Sequence, residues 1–216
     1  MFDAVAGNLA FLMGGFWVTV KLMFFALAGG IPLGILVGLG RISRKKWVYY
    51  PVTFYVNVIR NIPLILVIFW FYFVMPIIVG RPLDPFPSAV ISFIIFEATY
   101  FGEIIRAGYQ SVSKGQIEAG YSTGLTYVQT TRWILIPIAL RRMLPSIITQ
   151  SIVTYQDTCL AFVIGLPEFI RRARIVDTME VRSIQLFGFV AIVFFITCYI
   201  GSVISRRFEV KEKEGG

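Results

Sequence analysis

Residues 15–40 read GFWVTVKLMFFALAGGIPLGILVGLG and carry a single charged side chain, that of Lys21. A helix needs about 20 mostly apolar residues to cross the hydrocarbon core of a bilayer, so this stretch is long enough to span a membrane. Four further stretches of similar character come later in the chain. The sequence therefore predicts an all-α membrane protein with five transmembrane helices, at about 15–40, 52–79, 86–109, 143–166 and 184–205.

The composition of the whole chain supports this prediction. Of the 216 residues 57% are hydrophobic and 15% are charged, whereas an ordinary soluble domain has roughly 45–50% and roughly 25%. Histidine is absent and the two cysteines, Cys159 and Cys198, lie in apolar stretches. Imidazole catalysis, histidine-liganded metals and a disulfide scaffold are therefore excluded. We expect a single transmembrane domain over residues 1–216, without a catalytic residue or a metal site.

Basic residues are distributed unevenly between the predicted spans. Thirteen of the twenty lysines and arginines follow the first span, separate the third from the fourth, or follow the fifth. Because basic loops are retained in the cytoplasm, we predict the N-terminus outside and the C-terminus inside. The net charge of +8 is then explained by a membrane and not by nucleic acid. A cluster from Arg171 to Arg182 would lie outside, where Gly165 and Pro167 predict a short external helix.

The opening residues MFDAVAGNLAFLMGG have no positively charged start, so we interpret them as a segment along the membrane surface and not as a cleaved signal. Small residues then recur every fourth position at Ala26, Gly30, Gly34 and Gly38. This spacing lets two helix backbones approach closely and indicates packing. The chain has no G-x-x-x-x-G-K-[ST] motif, so it is not expected to hydrolyse ATP by itself.

The predicted cytoplasmic loop, at about 110–142, is long for a connection inside a helix bundle. Ser113 and Gln116 have the spacing of a capping box, and Thr126 and Gln129 repeat it. Gly124 lies where a glycine would end the first helix. We predict two short helices joined at this glycine, with Pro137 and Pro145 interrupting or kinking the chain that follows. An ordinary amphipathic connector is the alternative interpretation.

Several charged residues lie within the predicted spans, where they are costly and face the bundle interior or water. Glu103 and Arg106 are spaced for a structural ion pair. The remaining candidates either line a translocation path or form hydrogen bonds between helices, and Arg60 could pair with Glu97, with Asp157 or with a substrate carboxylate. These candidate path residues are Asn57, Arg60, Glu97, Tyr100, Gln156, Asp157 and Thr158.

Four motifs together resemble a known family. Glu118-Ala119-Gly120, Gly124 and Ile134-Leu135-Ile136-Pro137 are similar to the EAA-x3-G-x9-I-x-L-P loop of ABC importer permeases, with Gly120 in place of alanine and Ile136 in place of leucine. Three more segments resemble those of polar amino-acid permeases: YVNVIRNIPL at 55–64, YFGEIIRAG at 100–108 and QDTCL at 156–160. In the last of these, Gln156 replaces lysine and Cys159 replaces serine. The resemblance is to the histidine/glutamate/glutamine/arginine permease family, and within it to glutamate/aspartate permeases.

The resemblance implies a type I ABC importer permease fold in the inner membrane. It implies that the loop residues Glu118, Ala119, Gly120, Gly124, Ile134 and Pro137 couple the chain to a dimeric ATPase subunit. ATP and Mg²⁺ would bind that partner, and this chain would bind no cofactor. The other implied partners are a second permease subunit, identical or related, and a periplasmic amino-acid-binding protein.

Two alternatives stay open on the sequence alone. One is a secondary transporter that couples amino-acid uptake to protons through Glu97 and Asp157. The short chain and the absence of a visible inverted repeat argue against it. The other is a membrane assembly protein whose buried charges only pair helices.

Overall fold

A computed structural model describes residues 3–214, with side chains for residues 3–206, so the opening Met1 and Phe2 and the side chains of Arg207, Lys211 and Lys213 lie outside the described part. Every regular element in that part is a helix. The α-helices are α1 (Asp3–Gly7), α2 (Leu9–Arg41), α3 (Lys46–Arg60), α4 (Leu64–Phe69), α5 (Met75–Val79), α6 (Pro85–Ser111), α7 (Lys114–Ser122), α8 (Tyr127–Thr130), α9 (Ile136–Asp157), α10 (Phe169–Glu180) and α11 (Ser183–Glu214). Trp70–Val74 and Thr131–Leu135 are π-helical, and Thr158–Ile164 is a 3₁₀-helix.

Four continuous helical stretches are long and apolar enough to cross a membrane. They are Leu9–Arg41, Pro85–Ser111, Tyr127–Ile164 and Ser183–Arg206. The first begins at Leu9, so the prediction of a separate surface segment over the first fifteen residues is wrong for residues 9–15, whose apolar side chains simply extend the span. α1 is a separate short helix before this span. Its Ala4 and Val5 side chains pack against Leu186 and Val190 of α11.

The second predicted span is broken. α3 and the helical stretch Leu64–Val79 meet at an angle of 104° and together supply the fifth candidate span. Pro63 lies at the break, where it has no N–H to donate and disfavours the helical conformation of Ile62. The second span is therefore made of two helices and not of the one helix predicted over residues 52–79.

The small residues of α2 pack against α6, as the sequence predicts. The two helices run parallel, because Gly30 contacts Glu97, Gly34 contacts Phe101 and Gly38 contacts Ile105 in that order. A Cβ placed on Gly34 would lie 2.5 Å from the Cβ of Phe101. The two backbones are therefore closer than any side chain at this position would allow.

The packing at Gly34 gives a matched pair of substitutions. We expect Gly34→Ala to lower the free energy of unfolding by about 1–3 kcal/mol, because the new methyl group meets a Cβ that cannot rotate away. Gly188→Ala, in the long helix α11, should cost little, since its methyl group would meet no atom within 4 Å. Thermal denaturation of the two variants in detergent measures the difference. Equal melting temperatures would contradict the close α2–α6 approach.

At the end of the bundle opposite α7, the buried Glu168 fixes the start of α10. Gly165 adopts the left-handed conformation with φ of 86°, which turns the chain out of the fourth span, and α10 is the short helix that the sequence predicts beyond it. Glu168 caps α10 by accepting hydrogen bonds from the backbone N–H groups of Ile170 and Arg171 at 2.9 and 2.6 Å. Phe169 donates its own N–H to Thr19 of α2 at 3.2 Å.

Glu168 makes the stability of the chain depend on pH. Burial raises the pKa of its carboxyl to about 7, against the opposing effect of the two backbone hydrogen bonds. A carboxyl whose pKa is raised on folding stabilises the fold below its unfolded pKa of about 4.3, and this contribution is lost as the pH rises through about 7. We expect the melting temperature to fall between about pH 5 and about pH 8, and to fall less in Glu168→Gln. Identical pH profiles would contradict this assignment.

Candidate functional site

α7 is a short helix with defined caps at both ends. Ser113 accepts a hydrogen bond from the N–H of Gln116 at 3.3 Å, and the Gln116 side chain accepts one from the N–H of Ser113 at 3.2 Å, so the predicted capping box is confirmed. At the other end Gly124 has a φ of 84°. The N–H groups of Gly124 and Leu125 reach back to the carbonyls of Tyr121 and Gly120. This is the Schellman arrangement, which places α7 in a fixed direction.

The second predicted capping box is also confirmed, by reciprocal bonds between Thr126 and Gln129. The helix that it starts is not short, however, because Tyr127–Ile164 runs on as one span. Pro137 comes after the π-helical turn Thr131–Leu135, where the hydrogen-bond register has already shifted, and Pro145 lies inside α9. The prolines therefore do not interrupt the helix, and the alternative expectation that they kink it stays a prediction.

The motif residues around α7 fall into two groups. Gly120 is buried, and a Cβ on it would lie 2.6 Å from Ile134 Cδ1 and 3.0 Å from Thr130 Cγ2, so this glycine seats α7 on the start of the fourth span. Glu118, Ala119 and Pro137 are exposed. Large apolar and aromatic side chains are exposed beside them: Tyr121, Tyr127, Val128 and Trp133.

A cluster of charged side chains joins α2, α3 and α6 at the end of the bundle where α7 lies. Glu103 of α6 accepts hydrogen bonds from Arg106 at 2.8 Å and from Arg41 of α2 at 2.8 Å. Arg60 of α3 lies 3.7 Å from the Glu103 carboxylate and stacks on the Tyr100 ring at 4.8 Å. The predicted Glu103–Arg106 pair is thus confirmed. The expectation that Arg60 pairs with Glu97 or Asp157 is wrong, because the bend at Pro63 places it beside Glu103.

This cluster borders a cavity of about 550 Å³ between α3, α6 and α9, which is lined by both charged and apolar side chains. Of the predicted path residues, Arg60 and Tyr100 line it. Three residues at this site were not predicted from the sequence. Arg142 and Gln150 of α9 line the cavity, and Arg41 binds Glu103 next to it. Gln150 could have been found, because a glutamine is unusual inside an apolar span.

The other predicted path residues do not line this cavity. Glu97 is fully buried and accepts a hydrogen bond from Gln150 Nε2 at 2.9 Å. Asn57 and Gln156 are exposed on other surfaces, and Thr158 donates to the carbonyl of Tyr155. Asp157 lies seven residues beyond Gln150 on α9, which is about 10 Å along a helix. Among the side chains that the structure describes, those of residues 3–206, no three from aspartate, glutamate or cysteine are grouped to hold a metal ion.

Comparison with known proteins gives a consistent result. Residues 30–210 match the family described as "Binding-protein-dependent transport system inner membrane component". The chain is 38% identical over 208 residues to the "Probable glutamine ABC transporter permease protein GlnP" of Bacillus subtilis (strain 168), with 95% of each chain covered. It is 34% identical over 209 residues to the "Glutamate/aspartate import permease protein GltK" of Escherichia coli O6:H1, with 94% of this chain and 93% of the relative covered.

The solved structures agree with the relatives. A "Crystal structure of an amino acid ABC transporter with histidines" matches with a TM-score of 0.91 and 28% identity, and 98% of each chain is covered. A chain of the MetNI methionine ABC transporter matches with a TM-score of 0.70 at 21% identity, which shows the shared fold alone.

These matches decide between the interpretations that the sequence left open. They favour neither a proton-coupled secondary transporter nor an assembly protein. The fold is that of a type I ABC importer permease. The chain belongs to the binding-protein-dependent transport system inner membrane component family, as a permease subunit of a polar amino-acid ABC importer.

Proposed function

We propose that this subunit carries an amino acid of the glutamine, glutamate and aspartate group across the inner membrane while ATP is hydrolysed on a separate subunit. α7 is the surface on which that ATPase docks. ATP and Mg²⁺ bind the partner, because the sequence of this chain lacks a phosphate-binding loop. One observation supports the docking proposal above all. α7 packs closely against the fourth span at the buried Gly120, while Glu118 and Ala119 of the same helix are exposed.

The geometry of α7 suits transmission of a movement. A short helix presented to a groove on a partner is a common recognition mode. Gly120 and Ile134 connect α7 to the fourth span, so a displacement of α7 would also displace the Gln150 side of the cavity. The aromatic side chains of Tyr121 and Tyr127 provide contact area of the kind that dominates protein interfaces.

We place α7 in the cytoplasm and the N-terminus outside, on the basis of the distribution of basic residues. The cavity of one chain is open at its side, so we also propose a second permease subunit, identical or related, that closes the path. A periplasmic amino-acid-binding protein then delivers the substrate at the end where α10 lies.

Within the path, we assign contact with the substrate to Arg60 and Tyr100, since both face the cavity. Glu97 acts through Gln150 and not by direct contact. No contact with the substrate is assigned to the remaining candidates, because they do not line this cavity: Asn57, Gln156, Asp157 and Thr158.

Co-purification with the ATPase tests the docking proposal. We expect Glu118→Lys to reduce the ATPase recovered with the tagged permease about tenfold or more, as for loss of a central interface residue. The matched control is Glu180→Lys, which makes the same change at an exposed position of α10 on the opposite end. Equal recovery with wild type, Glu118→Lys and Glu180→Lys would overturn docking through α7.

A further inference from the structure

We propose that a second cavity, of about 270 Å³, binds the phosphate group of an anionic phospholipid. It lies between the turn that follows α2, the end of α6, α7 and the start of the fourth span. The inference goes beyond the proposed function, because it concerns a lipid and neither the substrate nor the ATPase. Arg44 and Lys114 supply the positive charge of the lining, and Glu118 supplies the negative charge.

The two cations come from different parts of the chain and have no partner in the described part. Arg44 lies in the turn between α2 and α3, and Lys114 is the first residue of α7. Both are exposed, and among the described side chains neither forms a hydrogen bond or an ion pair. Arg41, in contrast, is already bound to Glu103. Two unpaired cations that border one cavity are suited to bind a phosphate that accepts hydrogen bonds from both.

Glu118 does not cancel this charge. Two cations and one carboxylate leave a net charge of +1 in the lining. The N-terminal end of α7, where Lys114 lies, adds the partial positive charge of a helix start. The cavity therefore favours a headgroup with one net negative charge, such as phosphatidylglycerol, over a zwitterionic headgroup.

The wall of the cavity also contains hydroxyl groups, one of which lacks a partner. Thr130 is 1% exposed, and its Oγ1 makes no hydrogen bond with any residue of the described part. Buried polar groups almost always have a partner, so an unsatisfied hydroxyl in the wall of a cavity points to a ligand. Tyr109, Tyr121 and Tyr127 line the same cavity, and their phenol groups can donate to phosphate and glycerol oxygens.

The position of the cavity indicates a lipid as the source of the phosphate. At 1.5 Å per residue the 33 residues of α2 extend about 50 Å, so its ends pass beyond the hydrocarbon core of about 30 Å. Arg44 follows α2 directly, near the end of α6 and the start of the fourth span, and therefore lies at the depth of the headgroups. Basic pockets between cytoplasmic helix ends bind anionic headgroups, and tyrosine is enriched at this depth. The bound lipid would tie α7 to the turn after α2.

Titration of the delipidated permease–ATPase assembly in detergent micelles tests the inference, with bound lipids counted by native mass spectrometry. Phosphatidylglycerol, phosphatidylcholine and phosphatidylethanolamine are the probes. We expect the wild-type assembly to bind phosphatidylglycerol at least about tenfold more tightly than either zwitterionic lipid. Millimolar inorganic phosphate should not displace it, because the acyl chains add to its affinity.

Two double variants with the same change of charge separate a site from a diffuse attraction. Arg44→Gln with Lys114→Gln should weaken phosphatidylglycerol binding about tenfold or more. Lys45→Gln with Lys46→Gln is the matched control, because it removes two exposed cations at the same end of the bundle that do not line the cavity. We expect this control to weaken binding less than about threefold.

Four results would overturn the inference. Equal weakening by the two double variants would show a general attraction to basic residues and no site. Equal affinity of the wild-type assembly for phosphatidylglycerol and phosphatidylcholine would exclude selection by charge. Tighter binding of phosphatidylethanolamine would mean that Glu118 binds an ammonium group and that the site is zwitterionic. Displacement by inorganic phosphate would make a soluble anion the ligand. Recovery of the ATPase with Glu118→Lys is measured separately, so failure of the docking proposal is distinguishable from each of these results.

Discussion

Replacing Glu103 with glutamine should destabilise the permease by about 2 kcal/mol. Arg41, Arg60 and Arg106 converge on this one carboxylate, and its removal leaves three cations facing each other at the edge of the bundle. Breaking a fully buried pair costs roughly 3–5 kcal/mol, and the effect here is smaller because water reaches part of the cluster. The carboxylate also joins α2, α3 and α6, so its loss loosens the packing of three elements at once.

Thermal denaturation of detergent-purified protein measures this effect. Glu180→Gln is the matched control, because it neutralises an exposed carboxylate at the other end of the bundle and keeps an oxygen that can accept the hydrogen bond from Asn8 Nδ2. The double variant Arg41→Gln with Glu103→Gln should recover part of the loss, since it removes one of the cations left without a partner. A melting temperature for Glu103→Gln equal to that of Glu180→Gln would show that the cluster contributes nothing to stability.

A valine at Gly120 should abolish ATP-driven uptake while leaving the permease in the membrane. The new side chain would overlap Ile134 and Thr130, against which a single Cβ already lies too close. The contacts between the membrane spans do not involve Gly120. We therefore expect the overlap to be relieved by a shift of α7 away from Thr130 and Ile134. A displaced α7 presents Glu118 and Ala119 in the wrong place, and we expect uptake to fall about tenfold or more.

Gly188→Val is the control for that substitution, because it makes the same change at a glycine of α11 where an added Cβ would meet no atom within 4 Å. Uptake of labelled amino acid into proteoliposomes that contain the whole importer provides the measurement, with membrane content of the permease determined in parallel. Normal uptake with Gly120→Val would mean that the seat of α7 at Gly120 is not required for coupling.

Local features of this chain were predictable from the sequence, and long-range ones were not. The capping boxes at Ser113 and Thr126 depend on residues three positions apart, so their side chains meet whatever the rest of the chain does. The stripe from Ala26 to Gly38 likewise results from helical spacing. In contrast, Arg41 reaches Glu103 across 62 positions and Gln150 reaches Glu97 across 53, and only the packing of the spans decides those contacts.

The errors have physical causes. Hydropathy reports that residues 52–79 are apolar enough to cross a bilayer, but it is insensitive to the bend that Pro63 imposes. That bend moves Arg60 to Glu103 and so creates the cavity that the sequence did not reveal. Helix propensity predicts a break at Pro137, yet the π-helical turn before it accommodates the missing donor.

Chemical labelling of α7 tests most directly whether this helix is a cytoplasmic docking surface. Ala119→Cys, made in a chain that also carries Cys159→Ser and Cys198→Ser, places one thiol on the exposed face of α7. A membrane-impermeant maleimide should label it from the cytoplasmic side in membranes that contain the permease alone. Co-expression of the ATPase should protect it.

Arg81→Cys in the same background lies at an exposed position before α6 and should be labelled only from the opposite side, with or without the ATPase. We expect the ATPase to protect the thiol on α7 and not the thiol at position 81. Labelling of Ala119→Cys from the outside, or equally with and without the ATPase, would contradict it.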